Sequence, residues 1–495
     1  MKRILHIINI FFVVFCSTVY CQNATETVIP SQELALRISD PVDSIVDDLK
    51  EFIPNYLRNN NIPGVEIALI KGGNVVWTEG FGVTNTITKE SVTSNSLFEV
   101  ASNSKVVTAY MALRLVDEGK ISLEKPLHAY LSEDWLPPSV YRDSIKLNHV
   151  LSHSSGLSKT SKEIMFKPGT SYYYSANGLI FCKEVLEKVT GESFDNLAQR
   201  LVFDPIGMGT SSFIKQDKLL PLYANGHIPA LVPVVLFGLL FSIVFTIVVL
   251  AGSVIIRLRT KSWKLKRLHI IVFLFISFIF LTIALFILLG SSGLVEFAWI
   301  TATSGIFSLA LFLLFFYSGR RLLLKNFLNS KVLYRFLNVV LSLLICTAIL
   351  FFTSKIRNLP VPRWPNYMPS PAGTLRTSAK ELALFMIELS KPTFLSQETA
   401  AYLRTPQIKL SDNMSWGMGP GILYSNQGYA LWQWGQHVDF QSIMIIYPEQ
   451  EFGVVVCTNN DLLKPDVALE IAHHALGGII EPIRNAVHLQ FDYSD

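Results

Sequence analysis

One serine and one lysine, three residues apart, form the most reactive pair in this chain. Ser102 and Lys105 frame the sequence Ser-Asn-Ser-Lys. At the start of a helix, this spacing puts both side chains on one face, one turn apart. A buried lysine amine can then take the serine proton, and the helix N-terminus favours the developing negative charge. The pair therefore predicts a serine nucleophile with a lysine base.

The spacing alone is a weak signal, because it occurs by chance elsewhere in the chain. It is found again at Ser122 with Lys125 and at Ser212 with Lys215. The context of Ser102 is different, since a mostly apolar run leads from Leu97 directly into the pair. An amphipathic helix is predicted from Val106 to Glu118, and Gly119 should close it. This context favours Ser102 over the other two serines.

The elements around the pair predict an α+β domain. Helical periodicity marks Asp43 to Arg58, and Pro54 is expected to kink or shorten that helix. Two hairpins are predicted, one near each end of the chain: Val65–Ile70 with Asn74–Thr78, and Ser442–Tyr447 with Gly453–Thr458. Because strands lie at both ends and helices between them, we expect one sheet that is completed only when the two ends meet.

Four long apolar runs interrupt this domain. Half of the residues are apolar and only 16% are charged, which is unusual for a soluble enzyme. The runs cover about 231–256, 268–290, 295–317 and 336–353, and each could cross a bilayer. A buried core helix is the alternative for each run. No run has a charge in its middle, so we predict four transmembrane helices that form a passive anchor rather than a transporter.

The loops of this insertion predict its orientation. The loops after the first and third runs are rich in Lys and Arg and contain no Asp or Glu, so both should be cytoplasmic. Residues 1–21 have a basic start and an apolar run, which predicts an export signal, with an uncleaved anchor helix as the alternative. Either places the following domain outside the cytoplasm. Four crossings return the chain to that side, so the protein is predicted to be multi-pass with an extracytoplasmic catalytic domain.

The predicted organisation has five parts. They are a signal at 1–21, the first part of the catalytic domain at 30–227, the insertion at 228–366, the second part at 367–482 and a tail at 483–495.

The cysteines and the charge balance exclude some partners. The five cysteines show no metal-ligand spacing, and neither a metal nor another cofactor is expected. Cys182 and Cys457 fall in the catalytic domain, where a disulfide is an alternative to two buried thiols. The positive charges of the two basic loops exceed the net charge of +4, so the remainder of the chain is acidic. This argues against a nucleic-acid partner.

Seven segments, in order, resemble the serine β-lactamase and D-alanyl-D-alanine carboxypeptidase (penicillin-binding protein) superfamily, particularly class C β-lactamases and related esterases. They are Leu97–Lys105, Leu123–Leu131, His149–Leu157, Pro168–Thr170 with Tyr174–Ser175, Phe203–Met208, Ala372–Ala383 and Gly453–Asn459. The resemblance covers nearly all of 40–227 and 367–475. It implies an α+β fold, in which helices flank an antiparallel sheet beside a helical subdomain, and the family core lacks the insertion.

The resemblance also implies roles for particular residues. Ser102 would be the acylated nucleophile, Lys105 its proton partner and Tyr174 a second general base. The oxyanion hole would be formed by the backbone N–H groups of Ser102 and Gln436. His153 is expected to hold the loop near Tyr174 rather than to act in catalysis.

Two departures from the family pattern concern the substrate-binding residues. Gln433, Trp434 and Gly435 match the third motif, but Gln433 is neutral where a cation or histidine would recognise a carboxylate. Asn177 lies one position later than the asparagine of the family motif. A peptide or an ester is therefore expected as substrate more than a β-lactam. The alternative is a weak or inactive protein that binds cell-wall peptides, and the oligomeric state is open.

Overall fold

The computed structural model describes residues 35–132, 134–229, 358–361, 368–460, 466–478 and 481–490. The strands are β1 (Gly64–Lys71), β2 (Asn74–Gly82), β3 (Phe98–Glu99), β4 (His227–Pro229), β5 (Asn358–Pro360), β6 (Arg376–Thr377), β7 (Ile408–Ser411), β8 (Met414–Trp416), β9 (Gly421–Ser425), β10 (Gly428–Gln436), β11 (Gln441–Tyr447) and β12 (Phe452–Thr458). The helices are α1 (Val42–Asn60), α2 (Ser104–Asp117), α3 (Leu147–Leu151), α4 (Ala176–Thr190), α5 (Phe194–Ala198), α6 (Asp204–Ile206), α7 (Ala379–Ser390), α8 (Gln397–Tyr402), α9 (Val467–Leu476) and α10 (Glu481–Gln490).

One antiparallel sheet of eight strands joins the two ends of the chain. Its order is β2-β1-β12-β11-β10-β9-β8-β7. Strand β1 pairs with β12 in a register that sets Val65 opposite Thr458 and Lys71 opposite Phe452. The α+β prediction, with an antiparallel sheet completed by both chain ends, is confirmed.

Both predicted hairpins are present. The first turns at Gly72 and Gly73, whose φ angles of 60° and 69° are readily adopted by glycine and match the twist of paired strands. Strand β2 continues to Gly82, beyond the predicted end at Thr78, and stays paired with β1 as far as Gly64. The second hairpin joins β11 to β12.

Helix α1 is longer than predicted and passes through Pro54. Its inner face buries Ile45, Leu49, Ile53 and Leu57, which are spaced at the helical period. Because Leu57 is buried one turn beyond the proline, packing continues the helix past the residue expected to shorten it. Left-handed Asn61 follows its last turn.

Helices cover both faces of the sheet. Helices α1 and α9 pack on the face that carries Ile67 and Val456, and α7 packs on the face that carries Ala68 and Val455. The helical part, with α2 and α4, extends from the second face. Cys182 and Cys457 are both buried and free, so they do not form the disulfide that the sequence left open.

A short ribbon closes the point where the chain leaves the domain and returns. Strands β4 and β5 pair so that His227 faces Pro360 and Pro229 faces Asn358. The predicted export signal and the four apolar runs lie outside the described residues. Among the described residues, no helix combines the length and apolar character needed to cross a bilayer, so the membrane insertion stays a prediction.

The last described helix, α10, belongs to the packed domain. Its Ile483 and Ala486 are buried in the core beneath α1 and α9. The predicted boundary between domain and tail, at 482/483, therefore falls inside this helix.

Candidate active site

Ser102 lies in a tight turn that leads into α2. A short 3₁₀ turn covers Ala101–Asn103, and the α-helix follows from Ser104, two residues before the predicted start. Ala101 adopts a φ of 46°, a left-handed conformation that costs an alanine about 1–3 kcal/mol. Such strain is retained where the surrounding structure requires it, and here it directs the chain immediately before Ser102.

The amine of Lys105 is directly bonded to the hydroxyl of Ser102. Lys105 Nζ lies 2.7 Å from Ser102 Oγ and 2.8 Å from the carbonyl oxygen of Ala372. Lys105 is only 5% exposed. Its amine also lies 4.9 Å from the centroid of the Tyr174 ring. The lysine is thus held by two acceptors and an aromatic face, away from bulk water.

The second part of the chain clamps the nucleophile turn. The N–H of Val100 donates to the carbonyl of Leu375 at 2.9 Å, and the N–H of Leu375 donates to Ser104 Oγ at 3.1 Å. Thr108 Oγ1 donates to the carbonyl of Pro371 at 2.8 Å. The Ala372 carbonyl that accepts from Lys105 belongs to this clamp. A backbone acceptor has no side-chain signature, so sequence analysis missed it.

The end of β10 approaches the amide of Ser102 closely. A Cβ atom on Gly435 would lie 2.2 Å from the carbonyl oxygen of Val100 and 3.1 Å from the nitrogen of Ser102. Only glycine permits this approach. Ser442, on the neighbouring strand, donates to the same Val100 carbonyl at 2.8 Å and accepts from Asn103 Nδ2 at 2.7 Å. The predicted oxyanion donors, Ser102 and Gln436, thus belong to two segments that are in contact.

The other residues of the third motif lie on opposite faces of β10. Gln433 is fully buried, and its Nε2 lies 3.4 Å from Tyr174 Oη and 2.8 Å from the Trp434 carbonyl oxygen. Its Oε1 has no hydrogen-bond partner among the described residues. Trp434 is 2% exposed and packs with the core on the α1 face. Gln433 therefore reaches the tyrosine, whereas the Trp434 side chain is a core residue.

An aromatic cluster positions Tyr174. The ring of His153 lies 4.3 Å from the Tyr174 ring, and Trp416 lies 6.0 Å away, both measured between centroids. His153 Nδ1 accepts from the N–H of Ser175 at 3.3 Å. Burial, and then the nearby charge of Lys105, lower the pKa of His153 well below its usual range. A neutral His153 holds the loop around Tyr174, which is the structural role expected from the sequence.

Asn177 contacts a loop rather than the reactive pair. Its Nδ2 donates to the carbonyls of Ser158 and Ser161 at 2.8 and 2.9 Å. Both donor positions of the amide are therefore used to hold the segment before Pro168, and neither bond reaches Ser102 or Lys105.

A charged cluster that the sequence did not reveal lies beside the nucleophile. Glu99 Oε2 accepts from Arg376 at 2.6 Å, and Glu99 Oε1 accepts from His437 Nδ1 at 2.6 Å. Burial alone would raise the pKa of Glu99, but the hydrogen bond and charge of His437 and the charge of Arg376 hold it below its usual value. The cluster ties β3, β6 and the turn after β10 together. A lone glutamate in the apolar run before Ser102 was its only sequence signal.

Asp439 occupies the same turn. Burial, and then the negative charge of Glu99, raise the pKa of Asp439 to about 6. A Cβ atom on Gly226 would lie 2.0 Å from Asp439 Oδ2, so this carboxyl packs against the chain just before β4. The turn after the third motif thus contacts the residues that lead to the ribbon.

The two other Ser-x-x-Lys sequences have different surroundings. Ser212 Oγ donates to the carboxylate of Asp195 at 3.0 Å, and Ser122 Oγ accepts from the N–H of Glu124 at 3.1 Å. The hydroxyl of Ser102, by contrast, accepts a hydrogen bond from the lysine of its own sequence.

Comparison with known proteins finds a matching family model and several relatives. A family model described as Beta-lactamase matches residues 42–239. The chain is 24% identical over 183 residues to Protein flp of Staphylococcus aureus (strain NCTC 8325 / PS 47), which covers 32% of this chain and 37% of that protein. It is 27% identical over 220 residues to a Beta-lactamase of Pseudomonas fluorescens, which covers 40% of this chain and 58% of that protein. The chain thus spans less than two thirds of either relative.

A solved structure extends the likeness to the fold. The octameric penicillin-binding protein homologue from Pyrococcus abyssi superposes with a TM-score of 0.55 and 17% sequence identity. The match covers 87% of this chain and 76% of that chain. At this identity the match shows a shared β-lactamase and transpeptidase-like α+β fold.

Proposed function

Because residues 42–239 match the Beta-lactamase family model, we propose that this chain is a serine hydrolase of the β-lactamase and penicillin-binding-protein-like superfamily that forms an acyl-enzyme on Ser102. The observation that carries this proposal is the 2.7 Å contact between Ser102 Oγ and Lys105 Nζ. A general base must lie within hydrogen-bonding reach of the proton it takes. The lysine meets this condition, and the Ala372 carbonyl holds it in place.

The proposed reaction has two stages. Ser102 Oγ attacks the substrate carbonyl while its proton passes to Lys105, and the N–H groups of Ser102 and Gln436 stabilise the oxyanion. The proton then passes to the leaving amine or alcohol, a step in which we propose that Tyr174 assists, and the 4.9 Å distance from its ring centroid to Lys105 Nζ supports this role. Water next attacks the acyl-enzyme, releases the acid and restores the Ser102 hydroxyl.

The proposed substrate is a small peptide or ester, with a β-lactam less favoured. Gln433 can donate or accept hydrogen bonds but cannot form an ion pair with a substrate carboxylate. Its unpartnered Oε1 is an acceptor beside Tyr174. This arrangement supports recognition of a neutral donor on the substrate, such as an amide N–H.

Covalent labelling tests the proposal. A fluorophosphonate probe should label the full-length protein, and Ser102→Ala should abolish the label. Ser122→Ala is the matched control, since it alters a serine of the same spacing, and it should be labelled like the parent. Lys105→Ala should also lose labelling while its circular dichroism is unchanged.

Failure of that test would support a binding protein instead. The amide of Asn177 is occupied by its own loop, which is the observation that favours this alternative. A folded parent protein that is not labelled, yet binds cell-wall peptides, would identify it as an inactive relative.

We further propose that the four apolar runs anchor the protein in a membrane, with the hydrolase domain on the outer face. The paired ends of the ribbon support this, because a segment that leaves and returns at one point can be inserted without separating the two halves of the sheet. Alkaline carbonate should not extract the protein. Protease added to spheroplasts should reach the hydrolase domain but neither basic loop.

A further inference from the structure

The ribbon emerges beside an open groove of about 550 Å³. Thr86 Oγ1 donates to the carbonyl of Asn358 at 2.9 Å, and Asn358 Nδ2 donates to the carbonyl of Asn61 at 2.6 Å. All three residues line the groove, and Asn358 is the first residue of the ribbon strand β5. The groove is therefore attached to the base of the inserted segment.

The groove combines cations with an apolar floor. Its lining includes Pro54, Leu57, Phe81, Arg58 and Lys89 and contains no Asp or Glu. Arg58 and Lys89 are exposed, and neither forms an ion pair among the described residues. Arg58 also donates a hydrogen bond to Asn55 Oδ1. Two exposed cations beside apolar side chains fit a ligand with a phosphate joined to an apolar body.

An exposed apolar side chain lies next to the groove. Ile87 is 63% exposed and follows Thr86, whose N–H donates to His227 Nε2 of the ribbon at 3.1 Å. The loop that carries Ile87 and Lys89 is thus fixed to the ribbon. Apolar and cationic side chains presented together are typical of surfaces that lie on membranes.

The sequence places this end of the domain close to the apolar runs. The first run begins at residue 231, two residues after Pro229, and the last ends at residue 353, five residues before Asn358. An extended chain spans at most about 3.5 Å per residue, so the outer end of the ribbon lies within about 20 Å of both runs.

We propose that the surface formed by Arg58, Ile87 and Lys89 docks on the lipid bilayer, and that the groove binds the phosphate of an anionic phospholipid headgroup. This rests on the proposed membrane anchor and goes beyond it. Tethering alone would leave the hydrolase domain free to swing, whereas docking fixes the direction in which Ser102 faces. Ile87 enters the interface between headgroups and acyl chains, and the two cations lie at phosphate level.

Fluorescence quenching tests the docking. Ile87→Cys and Val140→Cys are each labelled with an environment-sensitive fluorophore in a full-length background that carries Cys16→Ser, Cys21→Ser and Cys346→Ser. Cys182 and Cys457 remain, because both are buried. Val140 is 88% exposed and does not line the groove, so it is the control. In vesicles of phosphatidylcholine and phosphatidylglycerol that contain a headgroup spin label, position 87 should be strongly quenched and blue-shifted, and position 140 should not.

Charge variants test the headgroup site. Replacing phosphatidylglycerol by phosphatidylcholine should weaken quenching at position 87. Arg58→Gln with Lys89→Gln should remove this lipid dependence, since each cation near an anionic surface changes the docking equilibrium about fivefold. Lys120→Gln with Lys391→Gln removes the same charge from exposed positions outside the groove and should retain the dependence.

The outcomes separate the two proposals. Extraction of the chain by alkaline carbonate would refute the anchor itself. A chain that resists extraction but shows equal quenching at positions 87 and 140 would overturn the docking surface and leave the anchor intact. Unchanged lipid dependence in the Arg58→Gln, Lys89→Gln variant would overturn the headgroup site.

Discussion

Glu99 holds Arg376 and His437 beside Ser102, and both come from the second part of the chain. Its side chain is 17% exposed, so the ion pair with Arg376 and the hydrogen bond from His437 are largely shielded from water. Removing one partner of such a pair leaves the others uncompensated, which is more costly than losing an exposed pair. The glutamate thus connects the stability of the domain to the surroundings of the nucleophile.

Glu99→Gln should therefore destabilise the protein by about 3 kcal/mol and slow the labelling of Ser102. The melting temperature of the detergent-solubilised protein should fall by roughly 5 °C. Asp412→Asn breaks the exposed pair with Lys409 and should leave both properties unchanged. Equal effects of the two substitutions would show that the Glu99 cluster has no special role.

Asp439 should make stability depend on pH in the sense opposite to an ordinary paired carboxylate. The pKa of this carboxyl is raised from 3.8 to about 6 in the folded protein. Its contribution to the free energy of unfolding is therefore fully present below pH 3.8 and is lost as the pH rises through about 6. Asp439→Asn imitates the protonated form. It should stabilise the protein by about 1–2 kcal/mol above pH 6.

Melting temperatures of parent and variant across this range measure the effect. The two curves should meet below the lower pKa, because the parent carboxyl is then protonated in both states. If the melting temperature of the variant exceeded that of the parent by the same amount at every pH, the raised pKa of Asp439 would be contradicted.

At the scale of elements, the approach of β10 to the nucleophile turn depends on the missing side chain of Gly435. Gly435→Ala would force Cβ into the Val100 carbonyl and should move the strand end away from Ser102. Overpacking of this kind costs about 1–3 kcal/mol. Labelling of Ser102 should be lost to a greater extent than stability.

Gly209→Ala is the control for this substitution. A Cβ atom there would have no heavy atom within 4 Å. The labelling rate of Ser102 and the melting temperature are measured for both variants and compared with those of the parent. A Gly435→Ala protein labelled at the parent rate would show that β10 does not shape the site.

The elements that are specified locally could be predicted from the sequence. The apolar period of α1, the glycine turn of the first hairpin and the spacing of Ser102 and Lys105 are each visible in a short continuous stretch of sequence. The Glu99 cluster was missed because positions 99, 376 and 437 meet only through the pairing of strands. The expected kink or shortening at Pro54 did not end α1, because the packing of Leu57, a tertiary effect, outweighs the local effect of the proline.

At the scale of the whole molecule, the ribbon predicts that the insertion is dispensable for folding. Because Pro229 and Asn358 are paired, an Asn-Gly turn can replace residues 230–357. The shortened protein should be soluble and should label at Ser102 like the parent. Sedimentation and fluorophosphonate labelling measure these two properties.

A longer deletion, of residues 228–366, is the comparison. It removes the ribbon bonds of Asn358 to Thr86 and Asn61 and should lower the melting temperature. An insoluble or unlabelled product of the shorter deletion would contradict the independence of the hydrolase domain.

The pairing of Val65 with Thr458 has a consequence for synthesis. A ribosome adds about 5–20 residues per second, so roughly 20–80 s pass between the synthesis of β1 and that of its partner strand β12. During that interval an apolar strand has an open edge that invites pairing with another chain. The cell must therefore shelter the nascent N-terminal half, and slower elongation should increase its aggregation.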